Sequence, residues 1–471
     1  MSPPPPSGPT SSPYADPTGG FAASTVPNVT LFAAARSRSK RSKLIAGGVV
    51  AVVLIAAVAV FVATRNGDAP TGGRASLRAV PGPDPTKTKL KLDGFLAQAT
   101  VSNGILYVAT ESGGGDFSTD VQAYRLGTEP VSLWHKSVDG PVRQLRVISG
   151  GLAILTGIPD SNSNTDSETD LAFKNLSDGS DLWKTQIDDQ SLFDDRFSVP
   201  MLRGRDSSGG GSTNYHLLSM TEHKVTKTLS LNDTGASVVG GQLITLDGRR
   251  VRTFDATSLQ PVGNGFGVDD NAIDATAVGG NFAVAEGTYL VLYDASGKEI
   301  TRDNVNVGVV SHVLTISSRR IIAAGQKGTK VLDINGKNFD ETFSTKGVIE
   351  PTHISGRTYG LVRSTGSSDS LVNLDSKNVD QIGSFKAGTS NCGDSEGSAG
   401  EDDGFSCNAD RIFDGAIYSL NSDGTLSAYS LDTADKIYSI HTTGSVLALD
   451  GTVLDASSDS TSNSTTVQIF R

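Results

Sequence analysis

Side chains able to do acid–base, nucleophilic or metal chemistry are thinly spread along this 471-residue chain. Its six histidines, at 135, 216, 223, 312, 353 and 441, stand singly. No His-Glu-x-x-His or Cys-x-x-Cys spacing brings two ligands to one metal, so each reads as a surface or strand residue. The stretch GDSEG (Gly393–Gly397) has the spacing of a nucleophile elbow. An elbow needs a strand before its serine and a helix after it, and the acidic flanks here supply no helix. GNGFG (263–267) likewise lacks a following helix whose N-terminus could hold phosphate, and reads as a turn.

Two acidic stretches could take a hard cation. In DSNSNTDSETD (160–170), oxygen-bearing side chains alternate as in a calcium loop, which makes Asp160, Asn162, Asn164 and Asp166 candidate ligands. Thr165 stands where such a loop needs its glycine, and Leu171 where it needs the bidentate glutamate. The second stretch carries Asp394, Glu396, Glu401, Asp402 and Asp403. It lies between the chain's two cysteines, Cys392 and Cys407. Outside the cytoplasm an isolated pair is expected to be oxidised. A bridge closing 14 intervening residues would stabilise the fold by about 3 kcal/mol on the chain-entropy model. Calcium is the only metal suggested, and no catalytic or cofactor-binding residue is assigned.

The elements that must position these residues begin with an anchor. Leu44 to Thr64 holds 21 residues without Asp, Glu, Lys, Arg, Pro or Asn. As a helix it would reach about 31 Å, matching a hydrocarbon core of about 30 Å. It is longer than a signal-peptide apolar region and has only a poor cleavage site, so a retained span is expected. Arg36, Arg38, Lys40, Arg41 and Lys43 precede it, and Arg65 alone follows within eight residues. Basic flanks stay inside, which puts the N-terminus in the cytoplasm and the bulk of the chain outside, at the cell membrane. Residues 1–43 hold 8 of the 18 prolines and read as a disordered tail. Residues 65–86 read as a flexible stalk. Residues 65–471 carry 35 basic and 50 acidic side chains, a net of −15, which argues against a nucleic-acid partner.

Residues 87–471 read as all-β. Apolar or alternating runs recur between turn residues, among them ILYVAT, VQAYRL, LAILTG, QLITLD, NFAVAE, YLVLYD, RIIAAG, KVLDIN, AIYSLN and SVLALD. No window carries a helical stripe. The turn after each unit's third strand recurs from Gly127 to Thr433 at intervals of 35 to 57 residues. A four-stranded unit of about 40–45 residues is the signature of a β-propeller. FKNLSDGSDLW (Phe173–Trp183) and AYSLDTADKIY (Ala428–Tyr438) resemble the repeat of quinoprotein-like, PQQ-like-repeat propellers: Ala-Leu-Asp, then Thr-Gly, then a fourth-strand aromatic. The resemblance implies that Trp134, Trp183 and Tyr438 pack between blades. It also raises a quinone-dependent dehydrogenase, but such enzymes use adjacent cysteines and a stacking Trp in the channel. This chain has no adjacent cysteines, so no quinone is expected. The span and Pro-rich head resemble in composition those of actinobacterial proteins.

Three strands follow SLDTADKIYSI without a fourth, and TKLKLDG (Thr88–Gly94) is an orphan at the start. Joined, they complete a blade and seal a ring. Counting then gives nine units, whereas the resembled family has eight blades. One unit, near 188–262, is therefore discounted, giving eight blades with seven as the alternative. In an antiparallel blade, connections 2–3 and 4–1 share one face. The insertions 111–120, 158–170, 204–214 and 456–466 fall between strands 2 and 3, and the cysteine loop, 387–408, between blades. All five then decorate one face, pointing away from the membrane if the stalk enters on the other. The expected function is a non-enzymatic binding or scaffold module for protein or cell-envelope ligands on that face. The alternatives are a hydrolase or quinone-type oxidoreductase working in the central channel, and a sensor coupling an outer ligand to a cytosolic partner.

Overall fold

The computed structural model describes residues 88–471 apart from 113–117, 160–165, 188, 206–211, 355, 365–366, 389–409, 414, 422, 450–451 and 471. The tail, the span 44–64, the stalk and the cysteine pair Cys392 and Cys407 lie outside the described residues, as do Asp160, Asn162 and Asn164. Among the described residues there is no helix long and apolar enough to cross a membrane.

The strands form nine four-stranded antiparallel sheets. In chain order, blades 1 to 8 span 95–139, 142–187, 190–231, 233–267, 272–303, 310–345, 348–386 and 410–441. Blade 9 is made of Ser445–Leu449, Thr452–Asp459, Ser464–Phe470 and, as its fourth strand, Thr88–Asp93. Blades 1 to 8 each meander through four consecutive strands, whereas blade 9 joins the two ends of the described chain. Thr88 stands opposite Ile469 and Asp93 opposite Ser464.

Ring closure follows from the cores. Among the described residues there are nine apolar clusters, and each is shared by two consecutive blades. One joins Leu152 and Ile154 of blade 2 to Tyr107 and Val121 of blade 1. Another joins Leu90, Leu92, Val467 and Ile469 of blade 9 to Val101, Leu106 and Val108 of blade 1. A stack with free ends would have eight such interfaces. The fold is a nine-bladed β-propeller.

First strands of adjacent blades touch one another from blade 9 through blades 1 and 2 to blade 3, and from blade 4 through blade 5 to blade 6. They are stitched by polar side chains as well as packing. The Gln144 Oε1 of blade 2 accepts from the Phe193 N–H of blade 3 at 2.8 Å. Asp274 Oδ2 of blade 5 accepts from Val313 N–H of blade 6 at 2.9 Å. Second and third strands lie between neighbours on both faces, so their apolar runs are continuous: Gln242–Asp247 buries its four central residues. Fourth strands form the rim and alternate, as in Lys224–Leu231.

The expected eight blades, or seven, are corrected to nine. The discounted region holds two complete sheets, blades 3 and 4. They are compressed: only Asn232 separates Leu231 from Asp233. The fourth strand of blade 4 is just Phe266–Gly267. The rest of that rim is covered by a loop, in which Val262 N–H donates to Thr253 O at 2.7 Å and Asp255 N–H to Gln260 O at 2.8 Å. A loop that satisfies the edge in place of a strand shortens the repeat without deleting a blade.

Candidate functional site

The topology sorts the connections onto two faces. The gaps between Glu111 and Ser118, Pro159 and Asp166, Arg205 and Thr213, and Asp459 and Ser464 all join second to third strands. The gap between Lys386 and Asp410 joins blade 7 to blade 8. In these sheets such connections leave from one face. The expected insertion 456–466 is mostly strand, with only the turn 460–463 between Asp459 and Ser464, whereas on the opposite face the third-to-fourth-strand connections are tight turns apart from the loop 256–265 of blade 4. Their carboxylate or amide side chains fold them: Asp294 Oδ1 accepts from Ser296 N–H at 2.8 Å and from Lys298 N–H at 3.0 Å. Asn175 and Asp255 repeat the arrangement with Ser177 and Thr257. The closing strand runs antiparallel to Ser464–Phe470, so Thr88 lies at the tight-turn face.

The fourth-strand aromatics sit at blade interfaces. Trp134 is buried in the core shared by blades 1 and 2, and its Nε1–H donates to Leu176 O at 3.0 Å. Its ring lies over Gly179, in the turn of blade 2. Gly179 has φ +68, and a Cβ there would come within 2.7 Å of the indole. Trp183 stacks on Phe173 of its own blade at 4.2 Å and on the His223 ring of blade 3 at 5.6 Å. Tyr438 is buried between blades 8 and 9, and burial raises the pKa of its phenol. Asp166 begins the third strand of blade 2. Five residues on, Leu171 is fully buried, so the second half of the proposed calcium run is extended strand. No three His, Cys, Asp or Glu side chains gather into a metal-binding group among the described residues.

One titratable cluster does assemble. Asp189, 1% exposed, precedes the first strand of blade 3. Its Oδ2 accepts from Asn214 Nδ2 at 2.8 Å and is 2.8 Å from His216 Nε2, while its Oδ1 accepts from the Ser191 hydroxyl. His216 Nδ1 faces Thr228 Oγ1 at 2.9 Å. Thr169 of blade 2 closes the network by donating to Asp189 O at 2.7 Å and accepting from Ser191 N–H at 3.1 Å. Burial by itself would raise the Asp189 pKa, but the hydrogen bonds from His216, Ser191 and Asn214 and the nearby imidazole outweigh it and lower it.

The residue types are those of a hydrolytic triad, but the order is not. The carboxylate stands between serine and histidine, so Ser191 donates to an acceptor that needs no proton, and no base faces its oxygen. Ser191 is fully buried as well. The network ties blade 3 to blade 2 through Thr169. Sequence reasoning missed it because Asp189 and Ser191, at the first strand of blade 3, meet Asn214 and His216 only across an intervening strand. The remaining histidines are dispersed: His135 pairs with exposed Asp120 at 3.1 Å, His312 is 3.9 Å from Asp274, and His353 meets Thr358 Oγ1 at 3.2 Å.

No protein-family model matches the chain, and no curated protein matches it. Solved structures do. BamB from Moraxella catarrhalis is 11% identical, with 82% of this chain and 97% of that one covered, at a TM-score of 0.36. The computationally designed Ika8 protein is 9% identical over 82% and 98%, at 0.38. KlHsv2 with loop 6CD replaced by a Gly-Ser linker is 10% identical over 62% and 99%, at 0.36. The propeller assignment rests on the strand order and the nine shared cores, not on these likenesses.

Proposed function

We propose that this chain is a membrane-anchored, extracytoplasmic binding platform that engages a protein or cell-envelope ligand through its long-connection face. The observation that carries the reading is the connection 387–409 between blades 7 and 8, which shares one face with the second-to-third-strand connections 112–117, 160–165 and 206–212. Loops on a rigid scaffold are the usual carriers of binding. The uncharged run 44–64 with its basic N-terminal flank supports the anchor. The buried Asp189 network is a brace and lends the hydrolase alternative nothing.

The test is photo-cross-linking in the native cells from exposed positions on each face. Ser118 and Lys386 border long connections, whereas Ser296 and Lys337 sit in tight turns. A cross-linking residue at Ser118 or Lys386 is expected to capture a discrete partner. Capture from Ser296 and Lys337 alone, or from none of the four, would remove the platform reading.

A further inference from the structure

The long-connection face also holds a shallow, open cavity. It has a volume of about 280 Å3 and lies where three connections of blade 6 converge. Its walls include Asn306, Lys327, Gly328, Lys330, Ser344 and Lys346. Lysines are thus concentrated at one spot of a chain whose net charge is −11. Lys330 is tied to Glu341. The side chains of Lys327 and Lys346 have no ion-pair or hydrogen-bond partner among the described residues.

The walls are fixed before any ligand arrives. Lys327 N–H donates to Val307 O at 2.8 Å, fastening the second-to-third-strand hairpin of blade 6 to the connection from blade 5. Gly328 has φ +131, and a Cβ there would come within 2.2 Å of Thr345 O, so only glycine lets the hairpin close against the next connection. Gly347 N–H donates to Thr345 Oγ1 at 3.1 Å on the same wall. Unpaired ammonium groups beside hydroxyls and backbone on a preorganised surface suit a compact oxyanion. Ammonium–oxyanion hydrogen bonds are the strong, charge-assisted kind. Lysine binds phosphate as a mobile point charge, so no planar fork is required.

We propose that this blade 6 cavity is a binding site for a phosphate group, held by Lys327 and Lys346, with Lys330 kept in reserve by Glu341. The site does not depend on the platform reading, since a small anion can occupy it whether or not the long connections meet a partner. The test is calorimetric titration of the full-length chain with inorganic phosphate, glycerol 3-phosphate and glycerophosphoglycerol. At least one should bind saturably, more weakly as salt rises. The strongest binder assigns the source: a free ion, a monoester or a polymer-type diester.

Each of Lys327→Gln and Lys346→Gln should weaken binding by about tenfold, the effect of one lost charge-assisted hydrogen bond. Glu341→Gln, which frees Lys330, should tighten it. Lys337→Gln, in a tight turn on the other face, should leave it unchanged. No saturable binding of any of the three anions would overturn the site. So would a Lys327→Gln/Lys346→Gln variant that unfolds like the parent and binds like it.

Discussion

Asp189 shows how a buried carboxylate can be read as structure rather than chemistry. Its oxygens accept from Ser191, Asn214 and His216, and nothing in that set can act on a substrate. What the carboxylate can do is tie the first strand of blade 3 to its third, while the backbone of Asp189 and Ser191 meets Thr169 of blade 2. In Asp189→Asn, an amide N–H₂ would face these donors, leaving at least one buried group unsatisfied. The expected loss is about 2–3 kcal/mol at neutral pH, measured by urea unfolding. The pH dependence has a definite sign. Because the folded-state pKa lies below the ordinary 3.8, the contribution is fully present above 3.8 and fades as pH falls through the lower, folded value. The gap between parent and variant should therefore stay constant from neutrality down to that ordinary value and close below it. A gap that closes well above 3.8 would mean that the carboxylate is not the group responsible. This site was illegible in the sequence because its two pairs, Asp189 with Ser191 and Asn214 with His216, lie on the first and third strands of blade 3 and meet only when the sheet forms.

The interfaces between blades obey a local rule that the sequence did display. All ten runs singled out as strands fall in second, third or first strands, where neighbours on both sides demand apolar side chains. Rim strands are harder to read, since one edge meets water, and Phe266–Gly267 is too short to show a period. The resembled repeat has a physical basis at Trp134: a rim aromatic of one blade rests on a turn glycine of the next. Phe266 and Gly297 repeat this between blades 4 and 5, where a Cβ would come within 2.3 Å of the Phe266 Cβ. Trp134→Phe removes the indole hydrogen bond and part of the ring, and should cost about 1–2 kcal/mol. Gly179→Ala meets both a left-handed backbone and the ring, and should cost more than about 1 kcal/mol. If the two act at one contact, unfolding of the double variant should fall short of their sum, because the smaller phenyl ring leaves room for the methyl. Strict additivity would separate the glycine from the tryptophan.

At the scale of the ring, the expectation of eight blades failed although the sequence count was nine. The repeat was irregular where Asn232 alone links two blades, and a family habit outweighed the count. Nine blades close only because Thr88–Asp93 completes the last sheet. Its alternation buries Thr88, Leu90 and Leu92 and exposes Lys89, Lys91 and Asp93. The buried leucines belong to the core that joins blade 9 to blade 1, so this strand seals the ninth interface as well as its own sheet. Leu92→Ala should cost about 2–5 kcal/mol, as for any well-packed leucine. Deleting 88–93 should do more than remove its own contacts. It bares the edge of Ser464–Phe470, an unpaired strand that can recruit a second chain. It also severs the link that restrains blades 1 and 9 together. The deletion variant is therefore expected to unfold at a markedly lower urea concentration than Leu92→Ala and to self-associate, as followed by light scattering. A deletion variant that stays monomeric and unfolds at the parent's midpoint would mean that the first eight interfaces hold the ring without the ninth.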